Sequence, residues 1–330
     1  MTERSTKFKS LSAFDKTHRG TPLPPGEQHV LFRTTPLGEA RAIITELAAS
    51  LRTLSIGGVD LTQPYPENST PPFADGIVLV PWPNRIPDGK WDLHGKPQRL
   101  DITEPERNNA IHGLLRNAPY RLLASTDDSV TLGATIFPQR GYPFLLETTV
   151  RYQLVDDGIR VTHGIRNDSS EAAPVAIGAH PFLMIGDVPT ADLMLTVRAQ
   201  TYFAVDDRLN LFAAIPVEAT DYDLREGRRV GELDLDEAFG DIAPIDGVTA
   251  LLRAPDGREV ALWQDEDFRF VQVFTTPIFP SATGHTTAVA IEPMTAPANA
   301  FNTGEARRLE PGESWATRWG IRYSVGDSTV

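Results

Sequence analysis

The side chains able to move protons are scattered along this sequence, and a few stand in company that could put them to use. Glu292 closes the alternating run Ala288-Val289-Ala290-Ile291 ahead of Pro293. A strand would deliver the acid to a proline that stops its ladder, hence to the rim or floor of a cleft. Partial burial there raises a carboxyl pKa by desolvation and makes a better base near neutrality; a plain ion pair with an arginine is the competing reading. His180 precedes Pro181, which holds the histidine backbone extended and disfavours a helix. His112 precedes Gly113, where the missing side chain allows another group to approach closely. Both imidazoles could project from strand ends into a cleft. Pro81-Trp82-Pro83-Asn84-Arg85-Ile86-Pro87 fixes a guanidinium and a large aromatic in a rigid loop. Donor forks hold hydroxyls and aromatic rings lie under apolar sugar faces, so Arg85 and Trp82 suit a sugar, although Trp82 also suits packing on its prolines.

The remaining histidines have plainer readings. His18 and His29 fall in a loose N-terminal stretch, His94 in the turn Asp92-Leu93-His94-Gly95-Lys96, and His285 in a loop after Thr283-Gly284. His163 shares the inward parity of Ile159, Val161 and Ile165 and belongs in the core or a cleft wall. The acids Glu232, Asp234, Asp236, Glu237 and Asp241 form a cluster of the kind that is usually a solvated face. There is no metal-ligand spacing, no glycine-rich phosphate loop and no nucleophile elbow, so neither a cofactor nor a metal is expected.

The elements that must position these residues are strands. Leu146, Thr148, Val150, Tyr152 and Leu154 alternate with polar residues, Ile159 to Arg166 repeats the pattern, and Asp157-Gly158 between them is expected to supply the positive φ angles of a tight hairpin. Asp256-Gly257 marks a second hairpin between Ala250–Ala254 and Glu259–Trp263. Trp315, Thr317, Trp319, Ile321, Tyr323 and Val325 line one face of a closing strand. Helical periodicity is nearly missing, and 27 prolines and 25 glycines punctuate the chain. Residues 1–29, rich in Lys, Ser, Thr, Pro and Gly, read as a flexible or loosely docked extension; residues 30–330 read as one large antiparallel β-sandwich domain with few short helices. A chain of 330 residues with 41% hydrophobic content can bury such a core. The net charge of -13 argues against nucleic acid and anionic membrane, leaving a neutral small molecule as the easier partner for a monomer or homodimer. The absence of cysteine fits a reducing compartment, and with no apolar run of secretory or membrane-spanning length the cytoplasm is the expected location.

Taken together, separated stretches resemble the aldose 1-epimerase (galactose mutarotase) family. They are Pro83-Asn84-Arg85-Ile86 with Asp88-Gly89, Ile111-His112-Gly113, His180-Pro181-Phe182, Leu235-Asp236-Glu237-Ala238-Phe239, Val271-Gln272-Val273-Phe274-Thr275, and Ile291-Glu292-Pro293-Met294-Thr295 with Ala300-Phe301-Asn302. Each is short, but their order and spacing hold over residues 77–312. The resemblance implies a β-sandwich of the galactose-mutarotase type (a supersandwich), a solvent-open cleft for a monosaccharide, and no cofactor. It implies His180 as general acid, Glu292 as general base and His112 beside the ring oxygen, with Arg85, Asp236, Asn84 and Gln272 as substrate ligands. The implied reaction interconverts the α and β anomers of a free aldose such as glucose or galactose, which near neutrality asks for a protonated His180 and an ionised Glu292. The alternatives are a non-catalytic carbohydrate-binding protein on the same fold, an epimerase for a phosphorylated or sulfonated sugar, which should show extra Arg or Lys beside the cleft, and a glycoside hydrolase pairing Glu292 with Asp236.

Overall fold

The computed structural model describes residues 24–326. They form an all-β fold in which the described residues contribute one α-helix, the single turn Ala300–Thr303, and a few 3₁₀ turns. A nine-stranded antiparallel sheet runs, in spatial order, through Arg121–Ser125, Ser129–Ile136, Leu146–Val155, Gly158–Asn167, Ser314–Ser324, Glu259–Gln264, Val248–Arg253, Met194–Val197 and Arg228–Arg229. An eight-stranded sheet is centred on the long pair Phe270–Ser281 and Gly284–Met294, flanked by Asp236–Ile242 on one side and by Gly178–Ala179 and Val78–Leu79 on the other. A four-stranded sheet, Gln28–Thr35 to Val59–Asp60, packs beside them. One continuous core joins all three: Val150, Tyr152, Val161 and Trp319 from the first, Val271, Val273, Val289 and Ile291 from the second, Ala42, Ile44 and Leu54 from the third. Among the described residues no helix is long and apolar enough to cross a membrane.

Alternation, the property that identified the strands, also decides what lies on the other side of the eight-stranded sheet. Because successive side chains in a strand point to opposite faces, the core positions Val271, Val273, Val289 and Ile291 force Gln272, Phe274, Ala290 and Glu292 onto the opposite face. There the small Ala288 and Ala290 pack with Phe182 and Phe279.

The expected hairpins form, with local differences. Leu146–Val155 pairs with Gly158–Asn167, and its inward set is buried as the pattern required. The turn is Asp156-Asp157, however, and neither it nor Gly158 has a positive φ. Gly158 is instead needed for close packing, since a Cβ there would lie 1.8 Å from the Ile321 carbonyl oxygen of the neighbouring strand. At the second hairpin Gly257 does adopt a positive φ of 87°. Val325 lies past the end of the last strand and is 57% exposed, because the ladder stops at Ser324. Gln28 and His29, expected in the extension, open the first strand, with His29 opposite Ile44; residues 1–23, including His18, lie outside the described residues.

Candidate active site

Glu292 lies two residues short of the end of its ladder, and Pro293 does not stop that ladder. The strand continues through Pro293 to Met294, pairing Val271 with Pro293 and Phe270 with Met294, so the proline is tolerated where a stop was expected. Gln272 lies directly opposite Glu292 in this register. His180 comes from the short segment between Gly178–Ala179 and Phe182–Leu183, held extended by backbone bonds from its own N–H to Ile77 and from Gly76 N–H to its carbonyl. His180 Nε2 lies 3.3 Å from Glu292 Oε1, and the two side chains are only 6% and 2% exposed.

His112 follows the short strand Asn109–Ile111, which pairs with Arg85–Pro87. Its ring stands edge-on to His180, with centroids 5.4 Å apart and planes at 87°. Its backbone is left-handed at φ 63°, and its N–H donates to the carbonyl of Asn84, itself left-handed at φ 54°. A histidine held in this region stores about 1–3 kcal/mol of strain, which asparagine tolerates better. Gly113 permits the bend: a Cβ there would meet the Val80 carbonyl oxygen at 2.1 Å.

A chain of side-chain bonds crosses the floor. Asn84 Nδ2 donates to Gln272 Oε1 at 3.1 Å, Gln272 Nε2 donates to Asp236 Oδ1 at 2.8 Å, and Arg85 Nη2 donates to Asp236 Oδ2 at 3.3 Å. Arg85 is gripped from its other side by Glu104, through Nε to Oε2 at 3.0 Å and Nη2 to Oε1 at 3.1 Å, leaving Nη1 with no partner among the described residues. Glu104 also accepts from Arg107 at 3.2 Å and from Asn109 at 3.0 Å. All seven residues singled out in the sequence, His180, Glu292, His112, Arg85, Asp236, Asn84 and Gln272, therefore meet in one place. Arg85, His112, His180, Asp236 and Glu292 line a cleft of about 550 Å³ with Asn84, and Gln272 stands behind them in the bonded chain. Trp82 does not line it. It is buried against Phe301 at 5.5 Å between ring centroids, so the packing reading holds, and the apolar wall is supplied by Phe274 and Phe73.

Electrostatics depart from the charge states that the sequence suggested. Burial pushes the His180 imidazole down to about 3, assisted by the charges of Arg116 and Arg85. Burial pushes the Glu292 carboxyl well above the ordinary range, helped by the charge of Asp236 and opposed by Arg85. Both shifts run against the expected protonated histidine beside an ionised glutamate, because both charged forms lose water. His112 is held neutral by burial and then by the charges of His180, Arg116 and Arg85. Burial also lowers the affinity of Arg85 for its proton, but Asp236 and Glu104 outweigh it and the net direction is up. Asp236 shifts upward as well, since burial outweighs Arg85. The two ends of that contact point in opposite senses; the donors Arg85 and Gln272 both need an acceptor oxygen, which favours the carboxylate. Among the described residues, no group of three or more His, Cys, Asp or Glu side chains is arranged to hold a metal ion.

Glu104, Arg107, Arg116 and Phe274 line the cleft without having been singled out as site residues. Phe274 falls inside the stretch Val271 to Thr275, where its even-odd parity with Gln272 was the available signal. The three charged residues lie in loops or 3₁₀ turns, where no periodicity marks them.

Comparison with known proteins matches residues 42–322 to the family model described as aldose 1-epimerase. The chain is 30% identical over 278 residues to the uncharacterized protein YihR of Escherichia coli (strain K12), covering 84% of this chain and 88% of that one. Its fold is similar to the GalM/aldose epimerase homologue from C. elegans, with a TM-score of 0.78 at 17% identity, over 91% of this chain and 100% of that one. It is also similar to galactose 1-epimerase from Lactobacillus acidophilus NCFM, with a TM-score of 0.72 at 17% identity, over 91% and 99%.

Proposed function

Because the chain belongs to the aldose 1-epimerase family, we propose that it interconverts the α and β anomers of a free aldose, with Glu292 and His180 as the proton-transfer pair. The observation that carries this reading is the buried 3.3 Å contact between His180 Nε2 and Glu292 Oε1 at the floor of the cleft. Opening a hemiacetal removes a proton from O1 and delivers one to O5, and those two oxygens share one carbon. Two groups in mutual contact can therefore serve both.

The pair holds one proton. Burial favours neutral imidazole and protonated carboxyl. Sugar hydroxyls donating to Glu292 favour its carboxylate, and the proton then moves to His180 Nε2. Glu292 accepts the O1 proton as His180 gives its own to O5; the C1–O5 bond breaks and the C1 carbonyl forms. Rotation about C1–C2 turns the other face of the aldehyde to O5, and reclosure reverses both transfers. The pair ends with the single proton it began with. His112 lies beside this pair and is assigned to the ring-oxygen side, while Arg85 Nη1, Asp236 and Asn84 are assigned to hydroxyls and Gln272 to holding Asp236 in place. The lack of cysteine supports a cytoplasmic location.

A pure binding module on this fold gives no reason to bury a carboxyl against an imidazole, an arrangement that costs desolvation of both. The test follows optical rotation of freshly dissolved α-D-glucose and α-D-galactose with wild type, Glu292→Gln and His180→Asn. Each variant is expected to fold and to lose about 10²-fold to 10⁴-fold in rate. A folded variant that keeps the wild-type rate removes that residue from the pair. Binding by calorimetry without acceleration of any aldose would move the protein to the binding-module reading.

A further inference from the structure

Three arginines line the cleft, and two of them are accounted for. Arg85 and Arg107 both end on Glu104, and Arg85 also reaches Asp236. Arg116, in the turn after buried Leu115, makes no hydrogen bond and no ion pair among the described residues, yet it is part-buried and lines the same cleft. The oxygens of Glu104 are already taken by Arg85, Arg107 and Asn109, so that carboxylate acts on Arg116 only at a distance.

The charges of the wall then pair off except for two, Arg116 and Glu106. Arg85 and Arg107 are offset by Glu104 and Asp236, and the His180–Glu292 pair with one proton is neutral overall. What is left is Arg116 inside the cleft and Glu106 on its exposed rim, where water screens it. A guanidinium offers five N–H donors in a planar fork that suits a carboxylate, phosphate or sulfonate. Withdrawing such a group from water with no partner is unfavourable, and an anion bound there would remove that penalty.

We infer that the aldose taken by this site carries an anionic substituent, and that Arg116 receives it. The inference rests on the epimerase reading above. It also bears on the chemistry, since Arg116 is one of the charges that disfavour protonation of His180. An anion docked on Arg116 offsets that charge and helps the substrate load His180 with the proton it must give to O5.

The experiment measures α-to-β exchange at equilibrium by NMR exchange spectroscopy for glucose, glucuronate, glucose 6-phosphate and 6-deoxy-6-sulfoglucose, with wild type, Arg116→Met and Arg116→Lys. In wild type at least one charged sugar is expected to exceed glucose in kcat/KM by about 10²-fold, the scale of one or two charge-assisted hydrogen bonds. Which of the three it is identifies the anion as carboxylate, phosphate or sulfonate. Arg116→Met should bring the ratio of charged to neutral substrate close to one, and Arg116→Lys should keep part of it. Glucose equal to or better than all three charged sugars in wild type overturns the inference and leaves the epimerase reading standing. So does a fall of equal size for charged and neutral sugars in Arg116→Met, which would make Arg116 a hydroxyl ligand. Folded wild type that exchanges none of the four overturns the inference, and if it also leaves α-D-galactose unaccelerated it sinks the epimerase reading as well.

Discussion

The contact between His180 and Glu292 joins two groups whose titrations burial moves in opposite directions, the imidazole down to about 3 and the carboxyl well above its usual range. The pair therefore takes up a second proton far below the pH at which a solvated histidine would, and gives up its one proton above the ordinary carboxylate range. Its working state spans the interval between. We expect kcat/KM to stay level as pH falls through 6.5, the ordinary imidazole value, and a decline centred there would show that His180 titrates as a solvated group. At this scale the sequence was informative where a residue had telling neighbours. Pro181 beside His180, Gly113 beside His112 and the proline loop around Arg85 each restrict the backbone, and these residues do meet in the cleft. Charge state was not legible, because desolvation depends on what closes over a side chain from distant parts of the chain. Glu104 and Arg116 were missed for a related reason: a charged loop residue looks solvated until its tertiary neighbours are known.

Among the elements, the paired strands Phe270–Ser281 and Gly284–Met294 do most to build the site, since their alternation sends valines and isoleucine to the core, Glu292 to the cleft and Gln272 to the same face behind it. That parity could be read directly from the sequence. The ends of strands could not, as Pro293 and Val325 show: a ladder ends where its neighbour ends, and the neighbour is remote in sequence. Gly158 makes the same point. Its dipeptide suggested a turn, whereas its function is to let Ile321 approach. Gly158→Ala should consequently destabilise the protein by about 2–4 kcal/mol in urea denaturation, because the atom in the way is backbone and cannot rotate aside. A loss under about 0.5 kcal/mol would mean that the adjacent strand shifts freely.

For the molecule as a whole, acid sensitivity should come from histidines buried without charge. His163 is fully buried, its Nε2 accepts from Trp319 Nε1 at 2.9 Å, and burial holds it down to about 3. The unfolded chain takes its proton first as pH falls below 6.5, so this group's stabilising contribution is complete above that value and is lost progressively down to about 3. The slope approaches about 1.4 kcal/mol per pH unit for one such group. His163→Gln keeps an acceptor for Trp319 and should lessen the fall in urea midpoint between pH 6.5 and 4; an unchanged slope would assign the acid sensitivity elsewhere. The core role of His163 followed from its parity, as did the all-β class itself. The strand order in space did not follow, for alternation says which face is buried and nothing about which strand lies alongside. That order places Ser314–Ser324 in the centre of the nine-stranded sheet, between Gly158–Asn167 and Glu259–Gln264. Until residue 324 has left the ribosome, the nascent chain holds two half-sheets, each with an unpaired inner edge open to neighbouring chains. The protein must pass through part of its synthesis with these edges uncovered, because the strand that seals them is made after both of the strands it pairs with.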